Sequence, residues 1–134
     1  MTYRLLLADD ELHILRAAEF KLKRQGYEVV CACDGQEAWE LLCEQKPDLL
    51  ITDFQMPRLN GLDLIQRMRS NPDYASIPVL MLTAKGYELP QREMANTLGI
   101  IEIIDKPFSP RDLCDRAQMA LEEAQRRREF AAST

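Results

Sequence analysis

The chain alternates between short apolar runs and stretches in which apolar residues recur at helical spacing. Leu49-Leu50-Ile51-Thr52 is apolar or β-branched throughout, the pattern of a strand buried on both faces, and it extends the segment from Asp48 to Asp53. Four other runs read as strands: Arg4 to Ala8, Tyr27 to Cys33, Ile77 to Thr83 and Ile100 to Asp105. Between them, Leu12, Leu15, Ala18 and Leu22 predict a helix over Glu11 to Gln25. Lys21, Lys23 and Arg24 suit the negative end of its dipole, and Gly26 stops it. Asp34 with Glu37 three residues on is a capping box, opening a second helix that turns Ala38, Leu41 and Leu42 inward with Trp39 beside them; Pro47 closes the segment. Leu62, Leu64, Ile65 and Met68 make a third helix, ended by Asn71-Pro72-Asp73. Pro90 suits the first turn of a short fourth helix ending near Leu98-Gly99. Ser109 as cap and Pro110 just inside open the last helix, lined by Leu113, Ala117, Ala120 and Leu121.

Strands therefore alternate with helices five times, which predicts an α/β fold: a doubly wound, five-stranded parallel sheet with five helices distributed over both faces. Parallel strands share one carboxyl edge, where open α/β sheets bind their ligands. Asp9 and Asp10 follow the first strand, Asp53 and Thr83 end the third and fourth, and Lys106 follows the fifth. A single Asp at a strand end often does no more than cap a turn. Three carboxylates, a hydroxyl and an ammonium drawn from four strands to one edge are far less expected by accident, because charges gather near a buried edge when they are paired or metal-bound.

Composition narrows what this cluster serves. With 134 residues, 46% apolar and 29% charged, the chain can bury one full core. Its net charge of -5 argues against direct nucleic-acid binding, which needs a basic face. The first apolar run, Leu5 to Ala8, is too short for a signal peptide or a membrane span, so a cytoplasmic location is expected. Cys31, Cys33, Cys43 and Cys114 form no CxxC pair and read as small buried hydrophobes; His13, the single histidine, reads as a surface residue.

Three converging carboxylates repel unless a cation joins them, and a small all-oxygen site suits Mg²⁺. Metal plus Lys106 is an arrangement that stabilises a transferring phosphoryl group, and a carboxylate can be the nucleophile. Asp53, central in the sheet, is best placed to accept it, while Thr83 offers a hydroxyl to a phosphoryl oxygen.

On these residues the sequence resembles the receiver domain of two-component response regulators. The acidic pair matches Asp9-Asp10, and the phosphoacceptor matches Asp53 within Asp53, Met56, Pro57 and Gly61. The switch hydroxyl matches Thr83 in Leu82-Thr83-Ala84, and the lysine matches Lys106 in Lys106-Pro107-Phe108. The match runs roughly from residue 3 to residue 125, giving a receiver domain at 1–125 followed by a helix end and tail at 126–134. The resemblance implies a flavodoxin-like strand order 2-1-3-4-5 and a sensor histidine kinase or histidine phosphotransfer protein as donor. It implies Mg²⁺ held by Asp10, Asp53 and the backbone carbonyl of Gln55, with Asp9 acting through water. It implies that Thr83 moves toward the phosphoryl group while Lys106 pairs with it. The face made by the fourth helix, fifth strand and last helix then engages a downstream protein or a second copy of the chain. Catalysis is confined to the domain's own phosphorylation and dephosphorylation, so it is not expected to be an enzyme.

Some positions depart from the family pattern. Ile103 stands where an aromatic is usual, which suggests altered coupling from Asp53 to the output face. Asp105 is unusual beside Lys106, and the segment from Thr83 to Lys106 is about one residue longer than is common. Gln55 and Lys85 flank the phosphoryl position in the family and are expected to affect its lifetime. Arg126-Arg127-Arg128 reads as a solvated helix end, and the chain as a stand-alone receiver. Two other readings compete. A receiver-like docking module that ignores phosphorylation is kept open by Ile103. A metal-dependent aspartyl-phosphate phosphatase would want an acid two residues after the nucleophile, where Gln55 cannot transfer protons.

Overall fold

The computed structural model describes residues 2–84, 93 and 96–133. Five parallel strands form one sheet in the order β2-β1-β3-β4-β5, the expected topology. They are β1 (Arg4–Ala8), β2 (Glu28–Ala32), β3 (Leu49–Asp53), β4 (Val79–Thr83) and β5 (Glu102–Asp105). The helices are α1 (Leu12–Arg24), α2 (Gly35–Glu44), α3 (Gly61–Arg69) and a C-terminal helix (Pro110–Ser133). Between β4 and β5, Glu93, Asn96 and Thr97 are helical; the rest of the expected fourth helix, with Lys85 and Pro90, lies outside the described residues.

The side-chain alternation of the strands builds two cores. Leu5, Leu7, Leu49, Ile51, Leu80 and Leu82 point to one face, under α1 and the C-terminal helix. Leu6, Ala8, Leu50, Val79 and Met81 point to the other, under α2 and α3. Every residue of β3 and of β4 is buried, as central strands covered on both faces must be.

The helix starts follow the expected chemistry. Asp34 Oδ1 accepts from Glu37 N–H at 2.8 Å, while Glu37 Oε1 reaches back to Cys33 N–H at 2.7 Å. Ser109 Oγ accepts from Asp112 N–H at 2.9 Å. Two expectations fail. Leu12 is 56% exposed, because it sits about a quarter-turn from the stripe of Leu15, Ala18 and Leu22 that faces the sheet. Of the cysteines, Cys114 is buried and Cys31 half-buried, but Cys33 and Cys43 are exposed: one follows the last residue of β2 and the other lies off the inward face of α2. His13 is exposed, as expected. The C-terminal helix continues without a break from Pro110 through 126–133.

Candidate phosphoacceptor site

Strand register brings the acidic residues together. Ala8 pairs with Thr52, so Asp9 and Asp53, the next residues of β1 and β3, stand side by side at the carboxyl edge. Asp53 pairs with Leu82, which places Thr83 one step further out on β4. Thr83 pairs with Asp105, and Lys106 N–H donates to Thr83 O at 2.7 Å, fixing the backbone of Lys106 at the same edge.

Lys106 lies beyond β5, and its long stem carries the ammonium across the sheet edge to the acids, leaving the side chain 10% exposed. Lys106 Nζ stands 2.9 Å from Asp9 Oδ2, 2.9 Å from Glu11 Oε1 and 3.4 Å from Asp53 Oδ1. Carboxylate oxygens of Asp9, Asp10 and Asp53 all lie within 4.8 Å of one another. Asp9 is wholly buried, Asp53 is buried and Asp10 is exposed, so the cluster opens to solvent on the Asp10 side.

The loop after β3 is shaped to hold Asp53. Asp53 Oδ1 accepts from Phe54 N–H at 3.0 Å, and Phe54 N–H also reaches Leu82 O at 2.8 Å. Gly61 N–H returns to Phe54 O at 2.8 Å, and Asn60 caps α3 by accepting from Asp63 N–H at 2.8 Å. A Cβ on Gly35 would fall 1.8 Å from Leu59 O, so the start of α2 closes against this loop. Arg58, with a positive φ of 71°, pairs with Asp34 at 3.2 Å.

Burial pushes the Asp53 carboxyl up to about 6, and the neighbouring Asp9 carboxylate pushes the same way; the Lys106 ammonium and the Phe54 N–H oppose them. For Lys106, burial alone would favour the neutral amine. Hydrogen bonds and charges from Asp9, Glu11 and Asp53 outweigh it and raise the group above the ordinary lysine value. Lys106 in turn holds the Glu11 carboxyl below its ordinary value.

Asp9 Oδ1 accepts from Glu11 N–H at 2.9 Å. Asp9 Oδ2 is buried, 2.9 Å from the Lys106 ammonium. An acceptor in that condition, beside two more carboxylates, fits a hard divalent cation.

The structure thus gathers Asp9, Asp10, Asp53 and Lys106 around one point. Thr83 is buried at the same edge, but its hydroxyl donates to Ala84 O at 3.4 Å. Gln55 is exposed on the loop after β3. Sequence reasoning missed Glu11 as a member of the site. The signal was present, since Glu11 is the third acid in a row directly after a buried strand.

The model of the response regulator receiver domain matches residues 5–118. The chain belongs to that family. It is 36% identical over 132 residues to the alkaline phosphatase synthesis transcriptional regulatory protein PhoP of Bacillus subtilis (strain 168), covering 98% of this chain and 52% of that protein. The chain therefore spans about half the length of that relative. Among solved structures, a CheY-like response regulator receiver domain protein from Methanospirillum hungatei JF-1 superposes with a TM-score of 0.87 at 26% identity, covering 95% of this chain and 99% of that one. Chemotaxis protein CheY4 of Vibrio cholerae superposes at 0.82 with 28% identity, covering 90% and 99%.

Proposed function

We propose that this receiver accepts a phosphoryl group on Asp53 from the phosphohistidine of a sensor kinase or a histidine phosphotransfer protein. The observation that carries this reading is the buried Asp53 carboxylate in contact with Lys106, at an edge where Asp9 and Asp10 crowd in with it. An Asp53 oxygen attacks phosphorus; the new O–P bond forms as the donor's N–P bond breaks, and the imidazole leaves with the electron pair. Residues 1–125 constitute the receiver in this reading.

Asp10, Asp53 and the Gln55 carbonyl would hold Mg²⁺, and Asp9 would act through water. The cation would offset negative charge on the phosphoryl oxygens. Lys106, 3.4 Å from Asp53 Oδ1, supplies a positive charge that stays with the product phosphoryl group. Thr83 gives up its bond to Ala84 O, a long one at 3.4 Å, and turns its hydroxyl to a phosphoryl oxygen. The added charge and acceptor oxygens bias the segment after β4, and the output is read on the face of the helix preceding β5, β5 itself and the C-terminal helix. A cytoplasmic downstream protein, or a second copy of the chain, binds there.

A phosphorylated histidine donor carrying a radiolabelled phosphoryl tests the reading. Transfer of label to this chain, sensitive to hydroxylamine as an acyl phosphate is, supports it. Label that stays on a donor competent toward another receiver counts against it.

A further inference from the structure

Lys106 has more acceptors than it can serve equally. Its two short contacts, both 2.9 Å, go to Asp9 and Glu11, while Asp53 is the longest at 3.4 Å. Asp9 is fixed in the buried edge, but Glu11 is 47% exposed in its side chain and precedes α1 as its N-terminal flank. Its carboxylate reaches Lys106 across 95 residues of sequence, and its other oxygen lies 3.9 Å from the exposed His13. Glu11 makes no described contact with Asp53.

We infer that Glu11 is a positioning residue that restrains the Lys106 ammonium in the unphosphorylated receiver and must release it when Asp53 carries a phosphoryl group. This rests on the phosphoacceptor reading of Asp53 and extends it.

Asp9, Glu11 and Asp53 compete for one cation. The ammonium has three protons to donate, and three carboxylates share them. A phosphoryl group on Asp53 replaces its single carboxylate charge with close to two negative charges and sets three strong acceptor oxygens in the same space. Lys106 gains by turning toward it, and the contact it can give up at least cost is the one solvent replaces most readily. That contact is Glu11, because Asp9 is fully buried and would be left with an uncompensated charge. Glu11 thus opposes phosphorylation twice: its charge repels an anionic donor, and its carboxylate must be abandoned by Lys106. Glu11 itself forms and breaks no covalent bond.

Two variants separate these effects. Glu11→Gln removes the charge and weakens the contact. Glu11→Asp keeps the charge but is one methylene shorter and loses its reach to Nζ. The readouts are the initial rate of Asp53 phosphorylation by acetyl phosphate with Mg²⁺, and the ¹⁵N resonance of the Lys106 ammonium in metal-free protein. Both variants should phosphorylate faster than wild type, by about two- to fivefold, the range a partly exposed ion pair commands. In both, the Lys106 resonance should move. A Glu11→Asp variant with the wild-type rate and an unmoved Lys106 resonance would overturn the restraint and leave the Asp53 reading intact. If wild type takes no phosphoryl group on Asp53, that reading fails and this inference falls with it.

Discussion

A β-carbon on Gly61 would stand 2.3 Å from the backbone carbonyl oxygen of Asp53. The helix that follows β3 thus closes directly onto Asp53, with Gly61 N–H bonded to Phe54 O at 2.8 Å. Glycine stands at 61 because a side chain would push the loop off Asp53, not because the backbone needs a positive φ.

Gly61→Ala should therefore destabilise the fold by about 1–3 kcal/mol, the cost of overpacking a site that cannot relax. Urea unfolding measures it. The phosphorylation rate should fall along with stability, because the backbone of Asp53 must move. An unchanged midpoint would mean that the loop gives way freely.

Metal-free protein should lose stability as pH rises from about 4 to about 6. Asp53 ionises near 6 in the fold but near 3.8 when unperturbed, so the unfolded chain releases its proton first and deprotonation favours unfolding. Glu11 works in the opposite sense, since its folded value is lowered and its stabilisation is lost on acidification. The difference between wild type and Asp53→Asn isolates the first effect. The variant should be more stable above pH 6, by on the order of 1–2 kcal/mol, with the gap closing below pH 4. Paired thermal scans across that range check it.

Lys106→Met should cost about 3 kcal/mol in the absence of metal, because Asp9 is wholly buried and loses its counter-charge. Mg²⁺ should restore part of this, so its effect on Tm should be larger in the variant than in wild type. An equal Mg²⁺ effect in both would separate the lysine from the metal position.

Asp10→Ala should leave metal-free stability within about 0.5 kcal/mol of wild type, since Asp10 is exposed. The rise in Tm on adding Mg²⁺ should shrink markedly or vanish. A titration identical to wild type would place the cation elsewhere.

Much of this was legible in the sequence because it depends on period and order. The unbroken apolar runs at Leu49 to Thr52 and in β4 read as buried parallel strands, and parallel strands force Asp9, Asp53, Thr83 and Lys106 to one edge. Features that depend on reach were not legible. Nothing in spacing says that Lys106 Nζ meets Glu11 as closely as Asp9, because that follows from how a flexible stem crosses the sheet edge. Leu12 fits the helical period loosely, and only the packing shows that it lies off the buried stripe. The Thr83 hydroxyl donates to Ala84 O at 3.4 Å, a contact set by its rotamer. Residue type and strand placement could not specify that.

The central claim is that Asp53 is the phosphoacceptor. Intact mass after incubation with Mg²⁺ and acetyl phosphate tests it most directly, on wild type and Asp53→Asn side by side. Wild type should carry one phosphoryl adduct, lost in alkali, and the variant none. An adduct persisting on Asp53→Asn, or none on a wild-type protein that demonstrably binds Mg²⁺, would contradict it.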